Sequence, residues 1–166
     1  MTQSRPRDWR IPLYTLSALV VLLDRLTKIW VTQHIEIGHA IPVIPRVFRI
    51  THVLNSGAAF SLFADSLSPE RVRWMLVGFS LLAAVAVFAF LLKIGRRLTL
   101  TALALSLILG GAIGNLYDRV RFASVVDFLE VYIVRYHWPD FNLADSAIVI
   151  GAILLMLDAF RNAKSA

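Results

Sequence analysis

Two aspartates stand apart from the other acids by their neighbours. Asp127 lies in SVVDF, among Val125, Val126 and Phe128, and Asp145 lies in FNLADS, at the head of a long apolar run. Desolvation among apolar side chains pushes an acid toward its protonated form. Asn142 is suited to cap a helix beginning at Leu143, which puts Asp145 at the third helical position. There a carboxylate accepts backbone N–H bonds and meets the positive end of the helix dipole, so its ionised form is favoured. Two carboxylates with opposed environments are what a shared proton and an activated water require. Taken singly, Asp145 also reads as a helix-capping acid and Asp127 as a loop acid; a dyad needs them to meet in space.

A second group of charges lies where charge is costly. Asp24, Arg25 and Lys28 follow the apolar run Ile11–Leu23, and Asp24 and Lys28 are four apart, on one helix face. The helix either ends at Leu23, leaving interfacial charges, or continues and turns the pair toward protein. Thirteen residues at 1.5 Å reach only about 20 Å of a roughly 30 Å hydrocarbon core, which favours the second reading. Farther on, Ala102, Ser106, Gly110 and Gly114 recur every four residues, a small-residue seam that lets another helix approach closely. Asn115, Asp118 and Arg119 follow at the end of that seam, Asp118 and Arg119 either as an interfacial pair or as support for a site.

The elements that must carry these residues are hydrophobic. Of 166 residues, 58% are hydrophobic and 17% charged, and mean hydropathy is +0.69. A soluble domain keeps about a quarter of its residues charged, so an ordinary soluble enzyme and a disordered chain are both disfavoured. Four stretches approach the length a bilayer demands, 11–31, 75–92, 98–117 and 143–160. The first lacks a small-x-small cleavage site and reads as a retained span. Residues 1–10, 93–97 and 161–166 hold eight Lys/Arg in 21 residues, whereas 32–73 and 119–141 hold seven in 65. The denser set is expected inside, with both termini, and the long loops outside. The net charge of +6 then reflects membrane orientation, and nucleic acid is not an expected partner.

The outer loops hold strand patterns. VFRITHVLN at 47–55 alternates with period two, bounded upstream by Pro42 and Pro45, and VYIVRY at 131–136 is a candidate partner. The fold expected is an all-α membrane protein, four transmembrane helices with a small extracytoplasmic β-sheet, forming a single domain over 1–166. Tyr132, Tyr136, Trp138 and Phe141 suit either an aromatic belt at headgroup level or packing of the sheet.

Other chemistries find little support. No cysteine is present, so thiolate, disulfide and Cys-ligated metal chemistry are excluded. His34, His39, His52 and His137 form no metal-binding spacing. A Ser–Lys peptidase would need Ser56 or Ser61 near Lys28, and neither has a G-x-S-G context. A small multi-pass carrier or lipid-binding protein, using Asp24, Lys28 and Asp118 as a polar pathway, is the alternative from a non-enzyme class.

Five segments together resemble the lipoprotein signal peptidases (signal peptidase II): DRLTK at 24–28, NSGAAF at 55–60, GNLYDR at 114–119, VVDF at 125–128 and FNLAD at 141–145. The resemblance implies an aspartyl endopeptidase of the bacterial inner membrane, with its site near the periplasmic face. It would remove signal peptides from prolipoproteins whose cysteine carries a diacylglyceryl group, cutting before that cysteine. It implies Asp127 and Asp145 as the catalytic acids and Asp24, Lys28, Asn55, Gly57, Asn115, Arg119 and Asn142 as supporting or substrate-binding residues. It also implies a lid near 59–65, membrane lipid as a partner, inhibition by the cyclic depsipeptide globomycin, and no metal or organic cofactor.

Overall fold

A computed structural model of the chain describes residues 8–57, 68–134 and 136–163; the expected lid at 59–65 lies outside them. The first helix, α1 (Arg10–His34), buries Leu13, Ser17, Asp24, Lys28 and Val31, a single stripe spaced by three, four and seven. Its other faces expose Leu19, Leu22, Leu23, Leu26 and Ile29. The helix does not end at Leu23: 25 residues at 1.5 Å extend about 37 Å, with the charged residues inside the packed stripe.

Three further helices are each long and apolar enough to cross a membrane. Helix α2 (Pro69–Ile94) begins six residues before the expected span, because Ser68 caps it and Pro69 takes the first turn, where a missing N–H costs nothing. Helix α3 (Leu100–Phe122) is capped by Thr99 and carries Asn115, Asp118 and Arg119 on its last turns. Helix α4 spans Leu143–Ala163. The centre of the bundle is α3, which packs against the other three helices.

The small-residue seam does what its spacing predicts. The Ser17 hydroxyl donates to the Ser106 carbonyl at 2.8 Å, and a Cβ at Gly110 would lie 2.7 Å from the Ser17 carbonyl oxygen. On the adjacent face a Cβ at Gly111 would lie 2.3 Å from the Ala144 carbonyl oxygen, so α4 also rides against bare backbone. In lipid, where apolar surface gains little from leaving its solvent, such close packing and interhelical hydrogen bonds hold helices together.

The sheet is antiparallel with order β1-β2-β3-β4, comprising β1 (Ala40–Ile44), β2 (Phe48–Asn55), β3 (Val125–Ile133) and β4 (Tyr136–Phe141). The expected strand at 47–55 is β2. It pairs with β1 on one side and with 125–133 on the other; of the expected partner 131–136 only the start lies opposite β2, where Val131 pairs with Phe48, and the chain turns at Val134, whose φ is 59°. The first four residues of β3 are all buried, so that strand lacks the alternation that marks a half-exposed one. The two outer strands contain Pro42 and Pro139, which edge strands tolerate because no neighbour needs the missing N–H.

Val31 of α1 and Ile35, the residue that caps its C-terminus, pack with Val126, Phe128, Ile50, Leu129 and Leu143, fixing the sheet on the helix end. Burial of a side chain the size of Val126 or Phe128 contributes roughly 1.5–3 kcal/mol. Tyr136 and Trp138 are exposed and meet edge to face, whereas Tyr132 and Phe141 are partly buried in the sheet.

Candidate active site

The register of the sheet assembles the site. Asn55 pairs with Val125 and Val53 with Asp127 across β2 and β3, and Leu129 pairs with Phe141 across β3 and β4. The next residue after Phe141 is Asn142, from which α4 starts. Three elements therefore converge at the head of α4.

Asn142 caps that helix as its sequence context suggests. Its Oδ1 accepts the Asp145 N–H at 2.9 Å, and its own N–H donates to Asp145 Oδ2 at 3.2 Å, a reciprocal capping box. Its Nδ2 reaches the other way, donating to Asp127 Oδ1 at 2.7 Å and to Asn115 Oδ1 at 3.2 Å. One fully buried amide thus links both aspartates. Asn115 makes a second link, its Nδ2 donating to Asp145 Oδ1 at 2.7 Å. Asn55 Nδ2 donates to Asp127 Oδ2 at 3.0 Å, and Asn55 Oδ1 accepts the Gly57 N–H at 2.9 Å, which fixes which end of the amide faces the acid. Gly57 has φ +89°, in the left-handed region where a side chain is strained.

Asp127 is buried among apolar side chains, as its sequence context suggested. Burial pushes the Asp127 pKa up to about 6; the Asn55 amide opposes this and the negative charge of Asp145 adds to it. Asp145 sits on the first turn of α4 and accepts two N–H groups, the Asn115 side-chain amide and the Asn142 backbone N–H.

Behind the amides lies a buried charge cluster. Lys28 Nζ is 2.7 Å from Asp24 Oδ2 and 2.8 Å from Asp118 Oδ2, and it donates to Asn115 Oδ1 at 3.2 Å. Arg25 pairs with the remaining oxygen of Asp118 and lies over the rings of Tyr117 and Phe122. Asp24 Oδ1 accepts the Ala144 N–H at 3.1 Å, tying α1 to the first turn of α4. Gly114 leaves room for this, since a Cβ there would lie 2.9 Å from Asp24 Oδ2. The cluster locks the Asn115 amide so that its Nδ2 faces Asp145.

Of the candidate residues, Asp24, Lys28, Asn55, Gly57, Asn115, Asn142, Asp127 and Asp145 form one connected arrangement. Arg119 does not join it: its backbone carbonyl accepts from Arg73 Nε at 2.9 Å, and among the described residues its side chain reaches neither aspartate. Nor does Arg119 pair with Asp118, because successive helix positions point about 100° apart and Asp118 faces α1, where Lys28 and Arg25 wait. Sequence reasoning left Arg25 without a role; its position one residue from Asp24 gave no sign that it reaches α3.

Asp127 and Asp145 line one open cavity of about 540 Å³ with Asn55, Trp138–Phe141, Ser146, Val149 and Ile150. One end is apolar α4 surface and the other is strand β4. A second cavity, of about 470 Å³, involves the alternate residues Leu54 and Val126 with Arg25, Ile29 and His52; neither aspartate lines it.

Other nucleophiles and metals fit less well. Lys28 is already held by two carboxylates and an amide, and Ser56 is exposed; Ser61 lies outside the described residues. Glu130, His137 and Asp140 offer ligand atoms within 4.8 Å of one another. Glu130, however, is paired with Arg49 and accepts from the Tyr132 hydroxyl at 3.0 Å, contacts that hold its carboxyl below the usual range. Asp140 accepts from Thr51 Oγ1 at 2.7 Å. These groups form a hydrogen-bonded brace across the sheet, with an arginine where a cation would sit.

Comparison with known proteins agrees with this architecture. Residues 16–161 match the family described as Signal peptidase (SPase) II. A lipoprotein signal peptidase of Syntrophus aciditrophicus is 42% identical over 149 residues, covering 89% of this chain and 91% of the relative. One of Pseudomonas aeruginosa (strain UCBPP-PA14) is 44% identical over 160 residues, covering 96% and 94%. A bacterial membrane enzyme solved by the in meso method at 2.3 Å resolution superposes with a TM-score of 0.84 at 28% identity, covering 98% of this chain and 96% of that one.

Proposed function

This chain belongs to the signal peptidase II family of aspartic membrane peptidases, and from that premise we propose that it removes signal peptides from prolipoproteins with Asp127 and Asp145 as its catalytic pair. The observation that carries the reading is the pair of aspartates, held by Asn142 and Asn115 and facing one cavity with an apolar end. A water between them loses a proton to Asp145, which the Asn115 amide and the Asn142 N–H hold in place at the head of α4. Asp127, protonated because it is desolvated, donates a hydrogen bond to the scissile carbonyl oxygen and then a proton as the tetrahedral intermediate forms. Proton transfer to the departing amine completes the cleavage. The pair titrates as a unit, so each apparent pKa belongs to both acids. No metal takes part.

The substrate is a prolipoprotein with a diacylglyceryl cysteine, cut on the N-terminal side of that cysteine. Val149 and Ile150 extend the cavity along exposed α4 surface, where acyl chains and signal-peptide side chains remain in lipid. The enzyme crosses the bacterial inner membrane four times, α1 included, with both termini cytoplasmic, as the loop charges require. The sheet and the dyad then lie at the periplasmic face. Arg119, half-buried at the outer end of α3, contacts substrate or lipid headgroup from outside the amide network. Globomycin inhibits by filling the cleft.

The test uses purified enzyme in detergent with a diacylglyceryl lipobox peptide and its unlipidated counterpart. Cleavage of the first, its loss in Asp127→Asn and Asp145→Asn, and indifference to chelators are expected. Sustained turnover in either variant would defeat the dyad.

A further inference from the structure

The cleft holds a third carboxylate that the chemistry above does not use. Asp140, on edge strand β4, lines the same cavity as Asp127 and Asp145. Its Oδ1 accepts from Thr51 Oγ1 at 2.7 Å, which fixes the side chain, while Oδ2 has His137 Nε2 only at 3.8 Å. The side chain is 17% exposed, so the carboxylate is set in place and partly desolvated yet still open to a ligand. No lysine or arginine is found among the described residues lining this cavity. The nearby cations are committed elsewhere: Lys28 and Arg25 to Asp24 and Asp118, and Arg49 to Glu130. A dyad sharing one proton carries one negative charge, and Asp140 adds another at the cleft wall.

The cavity also has a direction. Val149 and Ile150 lie down α4, toward the membrane interior, whereas Trp138, Pro139 and Asp140 lie on the sheet outside it. On the reading that this enzyme cuts prolipoproteins, the signal peptide occupies the membrane end and the mature chain leaves along β4. An extended chain advances about 3.3–3.6 Å per residue, so the first residues beyond the lipidated cysteine emerge at the outer end of the cleft.

We propose that Asp140 is a specificity-determining residue that reads the charge of the two residues following the lipidated cysteine, favouring basic side chains and disfavouring acidic ones. The preference works by attraction and by repulsion together, since an acidic residue there enters a cleft with no lysine or arginine among its described lining residues. A partly exposed charge contact of this kind changes rates by about threefold in each direction, or about tenfold between opposite charges.

The experiment compares three diacylglyceryl lipobox peptides that differ only in those two residues, both Lys, both Gln or both Glu. The expected order of kcat/KM is Lys over Gln over Glu, with Lys about tenfold over Glu at low salt and the ratio compressed at high salt. In Asp140→Asn, which retains an acceptor for Thr51, the ratio falls to about one, and in Asp140→Lys it inverts. A parent ratio within twofold, or a ratio that survives in Asp140→Asn, overturns the proposal. The parent measurement decides the matter even where a variant fails to fold. Failure of the parent to cut any of the three peptides would instead refute the peptidase assignment, and this inference with it.

Discussion

Replacing Asp127 with Asn should abolish cleavage and also shift stability in the variant's favour, relative to its parent, as pH rises. Asp127 is 2% exposed, and burial moves its pKa from 3.8 to about 6. At about 1.4 kcal/mol per pKa unit, keeping it ionised in the folded protein costs about 3 kcal/mol relative to the unfolded chain. The folded state holds the proton up to about pH 6, whereas the unfolded chain releases it near 3.8. Stability therefore falls as pH climbs through that window and levels off above it. Asparagine removes this loss but adds a different one. Asn55 Nδ2 and Asn142 Nδ2 both donate to Asp127, and the Gly57 N–H prevents Asn55 from turning over. An amide at position 127 must set its own NH2 against one of these donors, at about 1–3 kcal/mol. That second cost is the same at every pH. The stability difference between variant and parent should thus move about 3 kcal/mol in the variant's favour between about pH 3.5 and about pH 7.5. Thermal unfolding in detergent, followed by tryptophan fluorescence, reads this as a relative Tm shift of about 6–12 °C for a chain of this size. An offset between the two proteins that stays constant with pH would refute the burial argument.

Three further outcomes are expected. The kcat/KM of the parent should decline as pH rises through about 6, because Asp127 must carry its proton to donate to the carbonyl; a pH profile that climbs over that range would contradict the assignment of acid and base. Lys28→Met leaves Asp24 and Asp118 facing each other in a buried site, with Arg25 the remaining cation, and should cost about 3–5 kcal/mol. Melting curves should show partial recovery when Asp24→Asn is added, and an unchanged Tm in the single variant would show the cluster to be dispensable. Gly57→Ala sets a Cβ 2.5 Å from Leu76 Cδ1 at a φ of +89°, which displaces Asn55 and lowers kcat/KM. A second change, Leu76→Ala, should relieve the clash but not the backbone strain of about 1–2 kcal/mol, so activity returns only in part.

The amino-acid sequence by itself determined the solvent, the number of long apolar segments and the chemical types available. Apolar runs, loop charges and the four-residue seam are local, repeated signals, and α2, α3 and α4 follow them closely. The role of Asn142 and Asp145 was equally legible, because a capping box is set by neighbours three residues apart. What the tertiary structure decided is everything that depends on pairing across long separations. Strand β3 was misjudged at its start because a strand buried on both faces has no alternation to read, and edge strands β1 and β4 were hidden by prolines that only an edge accommodates. The fate of each charge was likewise beyond local reasoning: Asp118 takes Lys28 and Arg25 from α1 in place of its neighbour Arg119, because the rotation of α3, set by glycines that let α1 and α4 approach, turns Asp118 inward and Arg119 away. Side-chain types name the possible partners, and helix rotation and strand register select among them.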